Sequence, residues 1–139
     1  MNMTVTSPAA DVSDPVIPSL GKALDPELVH PALQLALRLW RRDISDVELC
    51  SIRLIRHKPG RRALIEYQVS LAGPNGAESL TLLGKIRAKG LDKKTPEMMT
   101  QLHRAGFDAG SAHGASVPEV IGKVTGLQMW LQKKFRAFL

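Results

Sequence analysis

Lys85 stands in the middle of an alternating segment, Ser79 to Ala88, in which Leu80, Leu82, Gly84, Ile86 and Ala88 share one side and Thr81, Leu83, Lys85 and Arg87 the other. An ammonium carried by strand backbone is held at a fixed place. Phosphoryl groups suit such a cation, because their transfer depends on positioning and fixed charge more than on covalent help. A solvated lysine with its stem laid over the sheet is the plain alternative. Glu97, in Thr95-Pro96-Glu97, stands where an acid stabilises a helix start. The remaining chemistry is sparse. His30, His57, His103 and His113 lie far apart and form no HExxH pattern, which leaves them surface or capping roles. Cys50 alone cannot form an intrachain disulfide or a CxxC zinc site, so a reducing, cytosolic setting is expected. Neither GxSxG nor GxxxxGK[ST] occurs, and Gly84-Lys85 lacks the upstream glycine and following hydroxyl of a P-loop.

The chain that must position these groups has 139 residues, enough for one ordinary domain. Its 44% hydrophobic and 23% charged residues call for a folded core and argue against a disordered chain. The net charge is +6, unevenly spread. Residues 1–40 hold two cations (Lys22, Arg38) against four acids (Asp11, Asp14, Asp25, Glu27), a balance of −2, which leaves +8 for the rest. Such a surplus attracts phosphate on a nucleotide, a nucleic acid or a lipid without choosing among them. No apolar run approaches the ~18 residues of a membrane span, and Met1 to Leu20 lacks the basic start and apolar middle of a signal peptide. A cytoplasmic protein without a membrane partner is the expectation.

Residues 1–23, rich in Ser, Thr, Ala and Pro, read as a flexible leader. Asp25-Pro26-Glu27 supplies a capping side chain, a first-turn proline and an early acid, so a helix is predicted within 24–44. Leu33, Leu37 and Trp40 give it an apolar stripe, and Pro31 restarts or kinks it. Three strands follow, Ser51 to His57, Arg62 to Leu71 and Ser79 to Ala88, with turns at Lys58-Pro59-Gly60-Arg61 and Gly73-Pro74-Asn75-Gly76. A second helix is expected from Thr95 to Arg104, then strands at Val117 to Val124 and Leu127 to Gln132 around Thr125-Gly126. The fold class is α+β, a five-stranded, mainly antiparallel sheet with one packed helix, preceded by an extra helix and the leader.

Between about residues 48 and 132 this order resembles the amino-terminal lobe of the aminoglycoside phosphotransferase family, which shares its fold with protein kinases. The matching pieces are Ile52 to Arg62 running into Ile65-Glu66-Tyr67, then Leu83-Gly84-Lys85, Val117 to Gly122, and Leu127 to Gln132. The resemblance implies a kinase-like lobe over 48–134 that binds ATP. Lys85 would hold the nucleotide phosphates, Glu97 would orient it with Asp92 as its rival for that place, and the Lys58 to Arg61 loop, with Lys58 and Gly60, would lie over them. Backbone around Gln132 and Lys133 would meet the adenine. The loop lacks the glycines of GxGxxG, and both a solvated turn and a plain core strand stand as alternatives for these two segments.

In that family the catalytic aspartate and the magnesium ligands belong to a carboxyl-terminal lobe, whereas residues 135–139 read as a tail or the start of an interlobe linker. His113-Gly114-Ala115 has alanine where the family's HGD carries its base. The resemblance therefore implies an ATP-binding lobe that depends on a missing lobe or partner chain for Mg2+ and for phosphate transfer. The competing function is a non-catalytic basic module for a polyanion or a protein partner. Nucleic acid is disfavoured because the chain is only 4% aromatic and its rings form no regular set.

Overall fold

The computed structural model describes residues 14–74, 76–88, 100–101 and 119–134. Its elements are α1 (Leu20–Ala23), α2 (Pro26–Trp40), β1 (Asp46–Lys58), β2 (Arg62–Gly73), β3 (Gly76–Arg87), β4 (Val120–Val124), a 3-10 turn (Thr125–Leu127) and β5 (Met129–Lys133). The five strands form one sheet in the order β1-β2-β3-β5-β4, and every neighbouring pair is antiparallel. The fold is thus α+β, as the sequence predicts. The helix seen packed on the sheet is α2, which precedes the strands. The helix expected from Thr95 to Arg104 lies outside the described residues except for Thr100 and Gln101, which are helical.

Local chemistry explains most boundaries. The Asp25 side chain accepts a hydrogen bond from the Glu27 amide at 3.0 Å and Pro26 opens the first turn, so α2 starts where a cap and a fixed φ coincide. At Lys58-Pro59-Gly60-Arg61 the Arg61 amide reaches the Lys58 carbonyl at 3.0 Å with Gly60 at φ 73, a turn that needs glycine in its third place. Strand β1 is longer than expected and carries register shifts between Leu49 and Ser51 and between Leu54 and Arg56. Each inserts one extra residue: Cys50 brings Ile52 and Leu54 onto the face of Val47 and Leu49 although the spacing breaks strict alternation, and Ile55 does the same for His57.

That face is the covered one. Val29, Leu33, Ala36 and Leu37 of α2 are buried, as are Leu49, Ile65, Tyr67, Leu82, Ile86, Met129 and Leu131 of the sheet. Burial of this apolar layer is the main force holding the fold. Residues 14–23 depart from the leader expected there. Ile17, Leu20 and Ala23 are buried in the same core, Ile17 from the hydrogen-bonded turns that precede α1 and Leu20 and Ala23 from α1 itself. The Tyr67 hydroxyl crosses the core to donate to the Ala23 carbonyl at 2.7 Å, and burial pushes that phenol upward. At the far end of α2, the Trp40 indole donates to Glu119 at 2.7 Å and ties the helix to the start of β4.

Candidate functional site

The opposite face of the sheet carries the charges. Cross-strand partners share a face, so the register places Arg53, Glu66, Leu83 and Gln132 in one row across β1, β2, β3 and β5. The next row is Arg56, Leu64, Lys85, Trp130 and Lys123, and beyond it lie Lys58, Arg62 and Arg87. Lys134, whose amide donates to the Thr81 carbonyl at 2.9 Å, stands one row to the other side of Glu66. Toward the β2–β3 hairpin the face turns acidic, with Glu48 opposite Ser70 and Asp46 opposite Ala72. Charge on this face is therefore segregated along the strands, cations toward the β1–β2 turn and acids away from it.

Lys85 is exposed and sits near the centre of the basic half, flanked across the strands by Leu64 and Trp130. The Arg62 and Arg87 pair is two residues further on, about 7 Å along the strand. Among the described residues Glu66 is the carboxylate within this half, and it is committed. Its side chain is 7% exposed, with Lys134 Nζ at 2.7 Å and Arg53 Nη2 at 3.1 Å. The Lys134 hydrogen bond, outweighing burial and aided by Arg53, holds the Glu66 carboxyl below its ordinary range. Among the described residues no ion pair reaches Lys85. Trp130, beside it, keeps its indole nitrogen buried with no hydrogen-bond partner.

Of the residues that the sequence marks for a nucleotide, Lys58, Lys85 and Gln132 come onto this face. Lys133 does not, since it pairs with Leu82 of the covered side, and its amide is already used by the Glu119 carbonyl at 2.8 Å. Gly60 is also engaged elsewhere. Its amide donates to Asp14 Oδ2 at 2.7 Å, and the same carboxylate oxygen meets His57 Nε2 at 2.8 Å. The Gly60 amide, then His57, with the Val16 amide adding less, bring the Asp14 carboxyl down to about 2. Glu97 and Asp92 lie outside the described residues.

Sequence reasoning missed Asp14, Glu66 and Lys134. The signal for Asp14 was the Asp14-Pro15 dipeptide, a turn former whose side chain here accepts from the Val16 amide at 3.0 Å. For Glu66 it was the one acid in a strand whose residues after Arg62 are otherwise apolar or neutral, which demands partners if it is buried. Nothing local marked Lys134. His30, bonded to the Val47 carbonyl at 2.6 Å, and His57, bonded to Asp14, are part-buried and join separate segments of the fold, where surface or capping roles were expected. Among the described residues no cluster of His, Cys, Asp and Glu could hold a metal ion, and no helix is long and apolar enough to cross a membrane. No family model, curated protein or solved structure matches the chain.

Proposed function

We propose that the basic half of the open face binds the phosphates of ATP, and that the chain is the nucleotide-binding lobe of a small-molecule kinase of the aminoglycoside phosphotransferase kind. One observation carries the reading. Lys85 projects from a central strand onto the face that α1 and α2 leave uncovered, with Arg62 within reach of the same polyphosphate and no described carboxylate paired to Lys85. A cation fixed this way costs little reorganisation when an oxyanion arrives, which is what nucleotide positioning requires. Trp130 offers the neighbouring flat surface for a base. Phosphoryl transfer is assigned to a catalytic lobe of the family's carboxyl-terminal type, which also supplies the magnesium ligands.

Nucleic acid fits the face less well. Tyr67 points into the core and Trp40 belongs to α2, so among the described aromatic residues Trp130 alone lies on the basic face. Single-strand binders need a series of such rings. Calorimetric titration of the full chain with ATP tests the proposal. Saturable binding that Lys85→Ala weakens by about tenfold or more supports it, on the scale of one lost charge-assisted contact. Equal affinity in Lys85→Ala rejects the role of Lys85. Tight, salt-dependent binding of an oligonucleotide with no response to ATP replaces the kinase reading by the polyanion one.

A further inference from the structure

Helix α2 has a second apolar stripe that its own sheet does not use. Leu28, Leu35 and Leu39 stand 53%, 62% and 71% exposed, while Leu33 and Leu37 of the same helix are fully buried. Leu28, Ala32, Leu35 and Leu39 follow one another at the steps of a coiled-coil seam. This seam lies roughly a quarter turn round the axis from the buried stripe, so α2 cannot turn to bury it without exposing the other. Single exposed leucines need no account, but three along one seam of one helix form a contact surface.

We propose that a second copy of the chain docks here, α2 against α2, antiparallel about a two-fold axis. The seam is self-complementary. With the axis passing between Leu33 and Gln34, Leu28 faces Leu39 of the second copy and Ala32 faces Leu35, a small residue opposite a large one. Charge sets the direction. Glu27 and Arg38 immediately precede the first and last leucines and lie on one flank of the seam, both exposed. Antiparallel docking brings Glu27 of each copy beside the carboxyl end of the other helix, where Arg38 lies and exposed Arg42 follows. A parallel pair would leave the two Glu27 at one level on opposite flanks of the seam, a helix length away from either Arg38. The opposed helix dipoles favour the same choice.

A contact built on one helix pair is smaller than the ~1,200 Å² of a standard interface, so a concentration-dependent dimer in the micromolar range is expected. Sedimentation equilibrium of the full chain from about 1 to 500 μM, without nucleotide, tests it on the concentration scale of that affinity class. The wild type should pass from monomer to dimer. Leu35→Glu should raise the dissociation constant more than about tenfold, since the two-fold counts each change twice. Glu27→Arg should also weaken the dimer, and adding Arg38→Glu should restore it. Circular dichroism melting checks the fold of each variant. If Leu35→Glu melts early, Leu39→Lys, at the most exposed position, repeats the test. A wild type that stays monomeric throughout, or a dimer indifferent to both leucine changes, overturns the proposal. Failure of the charge-swapped pair to recover rejects the antiparallel arrangement. The outcome is independent of ATP binding, so either reading can fail alone.

Discussion

The two faces of the sheet are made by the same strands and do opposite work. On the covered face Leu49, Ile65, Tyr67, Leu82, Met129 and Leu131 are fully buried, and the one polar tip among them, the Tyr67 hydroxyl, is satisfied by Ala23. Removal of apolar surface from water stabilises that side, and close packing makes it intolerant of change. On the open face, Lys85, Arg56, Arg62 and Lys123 are exposed, and their mutual arrangement adds little stability because water and salt screen it. Alternation with a period of two lets one strand contribute both a core and a charged surface. Stability and ligand affinity should therefore respond to different substitutions.

Leu49→Ala should cost the most, about 2–5 kcal/mol in denaturant unfolding, because it removes a fully buried side chain from the covered face. A loss under about 1 kcal/mol would mean that this face is loosely packed. Gly84→Ala follows at about 1–3 kcal/mol, since the new Cβ would run into Met129 Sδ and approach the Tyr67 ring at 3.0 Å. Met129 can shift in part, but the Tyr67 ring is anchored by its hydroxyl.

A smaller effect, confined to acid, belongs to the latch that fastens the amino-terminal segment to the β1–β2 turn. The Asp14 carboxyl is held at about 2, below the ~3.9 of an unfolded chain. Its contribution is fully present above about pH 4 and is lost as the pH falls through that value toward 2. Asp14→Asn should flatten the fall of stability over this window, and slopes equal to the wild type's would show that the latch does not form. Lys85→Ala should move stability least, by no more than about 0.5 kcal/mol, while ATP affinity drops. A large stability loss there would erase the distinction between the faces.

The turn at Pro59-Gly60 and the cap at Asp25 were legible because their causes are local. Strand β2 was legible too, where Ala63, Ile65, Tyr67, Val69 and Leu71 alternate without a break and all are buried. Strand β1 was underestimated by five residues at its start, Asp46 against Ser51, because the bulge at Cys50 puts Val47 and Leu49 out of phase with Ile52. The packed segment before α2 went unseen because three prolines masked the spacing of Ile17, Leu20 and Ala23. In the candidate site, Lys85 could be placed on a strand and on a side of it from alternation alone. Its neighbours could not, since Arg62, Trp130 and Lys123 come from other strands.

What the amino-acid order determined by itself was local: which segments extend, which coil, where the chain turns, and which side of each strand is apolar. Those properties follow from dihedral preferences and from the periods of two and 3.6 residues. Only the tertiary structure decided that β5 inserts between β3 and β4, bringing Trp130 and Gln132 to the face of Lys85. It also decided that Glu66 is neutralised by Lys134 and Arg53, and that Asp14 takes the amide of Gly60. Such pairings join residues separated by many positions, and their strength depends on how far burial removes the competing water, which no local stretch of sequence encodes.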